Sequence, residues 1–474
     1  MSKKLLVLLA CMPGMISFAQ PKNQKPNIVF IMADDLGYGD IAPYGQQKIH
    51  TPNITRLANE GMKFTQFYAG TSVCAPSRAS LMTGLHTGHT FIRGNKEVDP
   101  EGQQPLPDNS FTLGKLVQQA GYTTGVFGKW GLGPVGSSGD PLRQGFDAFY
   151  GYNCQLLAHR YYPTHLWDND KRVDLPGNEN LQAPAVYAED LIQQKALAFI
   201  SEHRQAPFAL FLTYTLPHAE LLVPDDSILQ SYKNKFPEQA YNGNDYGPRA
   251  KKGGYTSQAL PHATFAAMVS RLDAYVGEVM ALLKQLDLDN NTLVIFTSDN
   301  GPHVEGGADP AFFNSAGGLR GVKRDLYEGG IREPFIARWP GKIKPGSTSG
   351  FVGAFWDIMP TLAAITGAKL AGPTDGISFL PELTGKKQVT HKYLYWEFHE
   401  NGGRQAVRKG NWKAIRLNVF NESATTLELY DLATDPQEKN NLAAENPKLV
   451  KELTKIMESS HVESAIFPFH ALKK

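Results

Sequence analysis

Four apolar runs, each ending abruptly on polar or glycine-rich residues, constrain this 474-residue chain more than any other feature. Residues 27–33 stop at Asp34-Asp35, and 123–127 stop at Gly128-Lys129-Trp130. Residues 208–214 stop just before Pro217-His218, and 292–297 just before Asp299-Asn300-Gly301. Runs of β-branched and aromatic residues without polar alternation read as strands buried on both faces, as in a parallel sheet covered by helices. Helical periodicity falls between them, over 52–60, 110–120, 185–203, 259–286 and 355–366. Leu260, Phe265, Met268, Leu272, Val276 and Met280 give the fourth helix one apolar face. The expected fold is α/β, with a large, mostly parallel sheet flanked by helices and ligands gathered beyond the carboxyl ends of its strands. After about residue 375 the rhythm changes. Residues 393–398, 405–407, 412–417 and 427–431 read as short antiparallel strands, followed by a helix over 446–459. The expected organisation is a large unit over 20–375 and a smaller C-terminal subdomain over 376–474. The stretches 129–180 and 222–256 read as surface loops, frequent carriers of substrate contacts.

Composition removes several classes. Hydrophobic residues are 42% and charged residues 20%, which supplies a large core and excludes a disordered tail or a collagen-like chain. Lys+Arg number 47 against 46 Asp+Glu, so there is no basic footprint and no nucleic-acid partner is expected. At the start, Lys3 and Lys4, an apolar run from Leu5 to Ala10 and Ser-Phe-Ala before Gln20 are the parts of a signal peptide over 1–19. They imply the export machinery and a periplasmic destination. Leu-Leu-Ala-Cys at 8–11 also resembles a lipoprotein cleavage site, so a form anchored through Cys11 is the alternative. No later segment offers ~20 consecutive apolar residues, so no transmembrane segment is expected in the mature chain. Cys74 and Cys154 would remain after cleavage, too few for a disulfide scaffold.

Asp34-Asp35 and Asp299-Asn300 each follow a strand directly. Adjacent buried acids repel unless a cation offsets them, and carboxylate and amide oxygens without sulfur favour Ca²⁺ or Mg²⁺ over zinc. Capping of a following turn is the competing role for either pair. The most specific segment is Thr71-Ser-Val-Cys-Ala-Pro-Ser-Arg-Ala-Ser-Leu-Met-Thr-Gly84. Pro76 suits a first helical turn. Cys74 would then sit at a helix N-terminus, where unpaired N–H groups attract anions and lower a thiol pKa. Arg78, one turn on, can point back to the same spot, and Ser77 reads as an ordinary first-turn residue.

Cys74-Ala-Pro-Ser-Arg78 resembles the signature of the formylglycine-dependent sulfatases, enzymes with the alkaline-phosphatase-like α/β fold. The blocks around Asp34-Asp35, Gly128-Lys129-Trp130, Pro217-His218, Ser298–Gly301 and Gly321-Val-Lys323 through Pro334 match that family in order. The resemblance implies that Cys74 is oxidised to formylglycine by a formylglycine-generating maturation enzyme. It assigns Asp34, Asp35, Asp299, Asn300 and modified residue 74 to Ca²⁺. Arg78 would orient residue 74, Lys129 and Lys323 would contact sulfate, and His218, or Lys323 acting with it, would protonate the bridging oxygen. One hydroxyl of the hydrated aldehyde would attack sulfur and the second would release sulfate, which an unmodified thiol cannot do.

One residue departs from the pattern. Many relatives carry Gly-Lys-Trp-His-Leu-Gly, whereas this chain has Gly131 in place of that histidine. His86 and His89 are candidate substitutes, and surface or supporting positions are their ordinary role. The resemblance implies hydrolysis of sulfate esters on carbohydrates, with an end-acting mode on galactose or N-acetylgalactosamine residues as the first expectation. Loop 152–167 joins donors to aromatic rings that suit a sugar, and names His159 and Arg160 as substrate contacts. His399 and Arg404 are the candidates from the C-terminal subdomain; packing between the two parts is the alternative for these loops. A phosphatase, phosphonate hydrolase or phosphodiesterase on the same fold, and a catalytically weak protein that binds sulfated glycans, are the competing functions.

Overall fold

The computed structural model describes residues 25–178, 185–244 and 254–469, so the expected signal peptide and Cys11 lie outside it. Among the described residues ten strands form one sheet. They are β1 (Asn27–Ala33), β2 (Met62–Tyr68), β3 (Thr123–Lys129), β4 (Ala148–Tyr152), β5 (His165–Asp168), β6 (Lys171–Asp174), β7 (Phe208–Thr213), β8 (Thr292–Ser298), β9 (Arg332–Arg338) and β10 (Ser347–Ala354). Their spatial order is β10-β2-β9-β8-β1-β7-β3-β4-β5-β6. The central strands β8, β1, β7, β3 and β4 run parallel. β9 enters antiparallel between β8 and β2, and β5 and β6 extend the other edge antiparallel. The expected α/β class with a mostly parallel sheet is what forms.

Every residue of β1, β7 and β8 is buried, which is why those runs lack polar alternation. Val29 and Ile31 enter the core on one face, where Phe265, Met268, Leu272, Val276 and Met280 of the helix Pro261–Gln285 cover them. Ile28, Phe30 and Met32 enter the opposite core with Leu113 and Leu116 of Leu113–Gln119, Ile358 and Leu362 of Ile358–Thr366, and Ala75 and Ala79 of Cys74–Thr83. The helix that starts at Cys74 is thereby pinned along its length to the sheet.

A second sheet of four antiparallel strands follows: β11 (Leu394–Phe398), β12 (Arg404–Lys409), β13 (Trp412–Leu417) and β14 (Thr426–Asp431). The helix Pro447–Ser460 covers one face through Leu453 and Met457. Trp396 and Phe398 on the other face join Tyr68, Val73 and Trp356, so this sheet abuts the start of the helix at Cys74. Trp396 Nε1 donates to the Ala69 carbonyl at 3.0 Å.

The reading of 129–180 as loop is corrected, because β4, β5 and β6 lie within it. β4 is rich in tyrosine and phenylalanine and continues the parallel pairing of β3, from Gly125↔Ala148 to Lys129↔Tyr152. β2 and the edge strand β10 escaped prediction because Lys63, Thr65 and Gln66 interrupt one and Ser347–Gly350 the other. Within 222–256 the described residues hold one short helix, Ser227–Gln230. No described helix is long and apolar enough to cross a membrane.

Candidate active site

Strand register assembles the acids. Ala33 pairs with Ser298 across β1 and β8, so the residues just beyond both strand ends, Asp34-Asp35 and Asp299-Asn300, come out side by side. The Asp35 amide donates to Asp299 Oδ1 at 3.2 Å, and Asn300 Nδ2 donates to Asp35 Oδ1 at 2.6 Å. All four side chains are fully buried. Asn300 Oδ1 is buried with no hydrogen-bond partner among the described residues. Three carboxylates and one orphaned amide oxygen are a donor set that fits a hard divalent cation. The ligand atoms of Asp34, Asp35, Cys74 and His218 also lie within 4.8 Å of one another. Burial and the neighbouring Asp34 push Asp299 up to about 7. Burial acts on Asp34 too, but Lys129, His218, Arg78 and Lys323 outweigh it and hold that carboxyl well below the usual range.

Cys74 is the first residue of its helix and Gly84, at φ +69°, ends it in the left-handed conformation that glycine permits. Among the N–H groups left over at such a start, that of Ala75 is taken by Asn95 Oδ1 at 3.2 Å. The Cys74 thiol donates to Asp34 Oδ1 at 3.2 Å. The expectation of a lowered thiol pKa is corrected: burial, and then the charge of Asp34, push it well above its ordinary value. Burial and the neighbouring carboxylate therefore favour the thiol over the thiolate. Ser77 is more than an ordinary first-turn residue, since its hydroxyl donates to the Asp299 carbonyl at 2.6 Å and accepts from the Gly70 amide at 3.0 Å. It ties the helix start to the strand end that carries the acids.

Three cations balance the three carboxylates. Lys129, the last residue of β3, places Nζ 2.6 Å from Asp34 Oδ2. Arg78 lies 2.8 Å from Asp299 Oδ2 and donates to the Lys129 carbonyl at 2.7 Å. Lys323 Nζ is 2.7 Å from Asp35 Oδ2 and 3.0 Å from His218 Nε2. Asp35 offsets the burial of Lys323 and raises its pKa well above the usual lysine value. The other ring nitrogen of His218, Nδ1, faces the Ala219 carbonyl, which can only accept, so Nδ1 carries the proton and Nε2 presents a lone pair to Lys323.

The expected substrate contacts separate into two groups. His159 lies at the site, its ring stacked on that of His218 at 4.7 Å. Arg160 turns instead to Glu220 at 2.6 Å. Arg404 donates to the Arg324 carbonyl at 2.7 Å and to Asp325, bracing the loop that carries Lys323. His399 is enclosed by Phe467 and Phe469, and burial lowers its pKa to about 3. Aromatic and basic composition cannot reveal which partners claim such side chains.

His86 and His89 stand beyond the far end of the helix Cys74–Thr83, about 15 Å long at 1.5 Å per residue. His89 Nδ1 meets Asp375 at 2.9 Å, and His86 Nδ1 accepts from the Gly88 amide at 3.2 Å. That acceptance leaves the proton of the neutral His86 ring on Nε2, the atom facing Asp375. The trio clamps the 374–376 turn, beyond the far end of the helix from Cys74. Two residues that the sequence did not single out do reach the centre. Glu305 is 3.5 Å from Lys323 and pairs with Arg324, and His303 stacks on His218 at 5.7 Å.

Residues 26–368 match the family model described as Sulfatase, and residues 321–463 match that of the N-sulphoglucosamine sulphohydrolase C-terminal region. The chain is 31% identical over 514 residues to an N-acetylgalactosamine-6-O-sulfatase of Bacteroides thetaiotaomicron, covering 92% of this chain and 93% of that protein. Human arylsulfatase A is 34% identical over 498 residues, covering 95% and 89%. A crystal structure of Ps i-CgsB in complex with k-i-k-neocarrahexaose is similar with a TM-score of 0.75 at 27% identity, covering 92% of each chain.

Proposed function

Because this chain belongs to the sulfatase family and is a sulfuric ester hydrolase, we propose that it removes sulfate from a sulfated carbohydrate, with residue 74 as the nucleophile and Ca²⁺ at the strand ends. The observation that carries this reading is the contact of Cys74 with Asp34 inside a ring of Lys129, Arg78 and Lys323. Sulfatases of this family use formylglycine and a divalent metal. Asp34, Asp35, Asp299 and Asn300 would hold Ca²⁺, which supplies Lewis-acid charge for sulfate oxygens when bound. Formylglycine at position 74 supplies an oxygen nucleophile that a thiol lacks.

The chain's own residues do the rest. Their three positive charges match Asp34, Asp35 and Asp299, so a divalent cation leaves surplus positive charge for an incoming anion. Lys129 and Lys323 bind the sulfate oxygens, where fixed donors in a buried site stabilise developing charge. Arg78, fastened to Asp299 and the Lys129 carbonyl, keeps Lys129 and the acids in place. The proton for the leaving oxygen starts on Lys323, and His218 Nε2, 3.0 Å away, relays it. The stacked His159 ring walls that side against water.

Carbohydrate as the substrate class draws support from the names of the relatives, and a terminal galactose or N-acetylgalactosamine residue is the first to test. Export through the signal peptide over 1–19 and conversion by a maturation enzyme belong to the same reading. The test is a screen of position-defined sulfated mono- and disaccharides, with phosphate esters as controls, on protein co-expressed with the maturation enzyme. Intact mass should fall by about 18 Da on conversion of Cys74, and Cys74→Ala should remove sulfate release entirely. Sulfate release by unconverted protein, or faster turnover of the phosphate esters, refutes the reading.

A further inference from the structure

Gly131, at φ +73°, leaves a space that another side chain has filled. A Cβ on Gly131 would stand 2.1 Å from Gln155 Nε2, so the tip of Gln155 occupies the space a side chain at 131 would take. Gln155 is only 5% exposed, and its Nε2 is buried with no hydrogen-bond partner among the described residues. Buried amide donors are normally satisfied, so an open one calls for an occupant.

Two routes tie this carboxamide to residue 74. On one side, β3 and β4 continue to pair beyond their ends, with the Trp130 amide on the Tyr152 carbonyl at 2.9 Å and the Gly131 amide on the Asn153 carbonyl at 3.3 Å. Gln155 is therefore carried past Gly131, two residues from Lys129, whose Nζ shares Asp34 with the Cys74 thiol. On the other side, Asn95 accepts from the Ala75 amide, and the chain just beyond it bridges Glu97 to Gln103. Gln103 Oε1 accepts from the Gln155 amide at 3.2 Å, which fixes the Gln103 carboxamide with its NH₂ end free. That Gln103 Nε2 is also buried and unpartnered among the described residues, in a residue 1% exposed.

We propose that Gln155, held by Gln103, is a neutral anion-binding residue beside position 74, donating from its carboxamide to an oxygen of the bound sulfate group. The inference rests on the sulfatase reading and adds to it a residue that the cationic ring does not include. A carboxamide donates but takes up no proton, so the space opened by Gly131 serves binding and not acid–base exchange.

The test uses the mature chain with Cys74 unconverted, in Ca²⁺, and reads inorganic sulfate binding by calorimetry together with melting temperature. Gln155→Ala and the near-isosteric Gln155→Glu should weaken sulfate binding about tenfold or more, as for loss of a hydrogen bond to a charged group. Glu should be the worse because it adds repulsion. Gln103→Ala should give a smaller loss in the same direction. Wild-type sulfate affinity in both Gln155 variants overturns the proposal, as does a lower melting temperature with unchanged affinity, which would mean packing alone. If the wild type binds no sulfate and its converted form cleaves no sulfate ester, the underlying reading falls and takes this one with it.

Discussion

Two buried ionic clusters in this molecule share chemistry but differ in what they enclose. Behind the small sheet, Lys413 lies 2.9 Å from both Glu328 and Glu438. The second oxygen of Glu328 accepts from the Tyr68 hydroxyl at 2.7 Å, and Arg332 and Arg408 close the group. Against burial, Lys413, Arg332 and Arg408 hold the Glu328 carboxyl down at about 2. At the strand ends the carboxylates are also matched by cations, and Asp299 is pushed up to about 7 just as Glu438 is in the first cluster, but here the acids surround the Cys74 thiol and an Asn300 Oδ1 with no partner among the described residues. The Lys413 cluster fastens two sheets together. The strand-end cluster instead encloses Cys74 and an open amide oxygen, a donor set that fits a cation.

The contrast can be broken by substitution. His218→Ala in converted enzyme should slow sugar sulfates by about 10²–10⁴ while sparing activated aryl sulfates, which need no proton on departure. Equal losses on both would remove His218 from proton transfer. Lys129→Met should lower kcat/KM by about 10²–10³, whereas Lys413→Met should cost about 3–5 kcal/mol of stability and leave kcat of the folded fraction unchanged. Should the two variants fail alike in melting and kinetics, the distinction between scaffold and centre collapses.

Calcium gives a smaller, additive contrast. Raising Ca²⁺ to 100 times its Kd should stabilise the wild type by about 2.7 kcal/mol. Asn300→Ala should shift that response to higher Ca²⁺, and a variant at Glu438 should respond as the wild type does. The smallest effect is on pH dependence. A carboxyl held below its ordinary value stabilises the fold above that value and loses the contribution as pH falls toward the folded one. The melting gap between wild type and Glu328→Gln should therefore be widest near neutrality and shrink as pH drops from 4.5 toward 2. A gap that widens in acid would reverse the sign assigned to Glu328.

Much of the site was legible before any coordinates. Uninterrupted apolar runs reveal central strands because both faces of such strands are buried, and the polar residues at their ends then fall on one edge of a parallel sheet. Cys74-Ala-Pro-Ser-Arg78 is a contiguous signature, and local chemistry is readable from contiguous residues. β2 and β10 were illegible because one polar-interrupted run looks like another until a neighbour pairs with it.

What only the tertiary structure decided are the partnerships. The sequence by itself determined the fold class, the helix that starts at Cys74 and the acids and lysines gathered around it, because each depends on periodicity or adjacency along the chain. Folding decided that Arg160 belongs to Glu220, that Arg404 braces the Lys323 loop, that His399 is shut behind Phe469 and that Gln155 fills the space at Gly131. It also decided that the Cys74 thiol is raised and not lowered, since burial acts on the sulfur first and then the charge of Asp34, 40 residues away in sequence and 3.2 Å away in space.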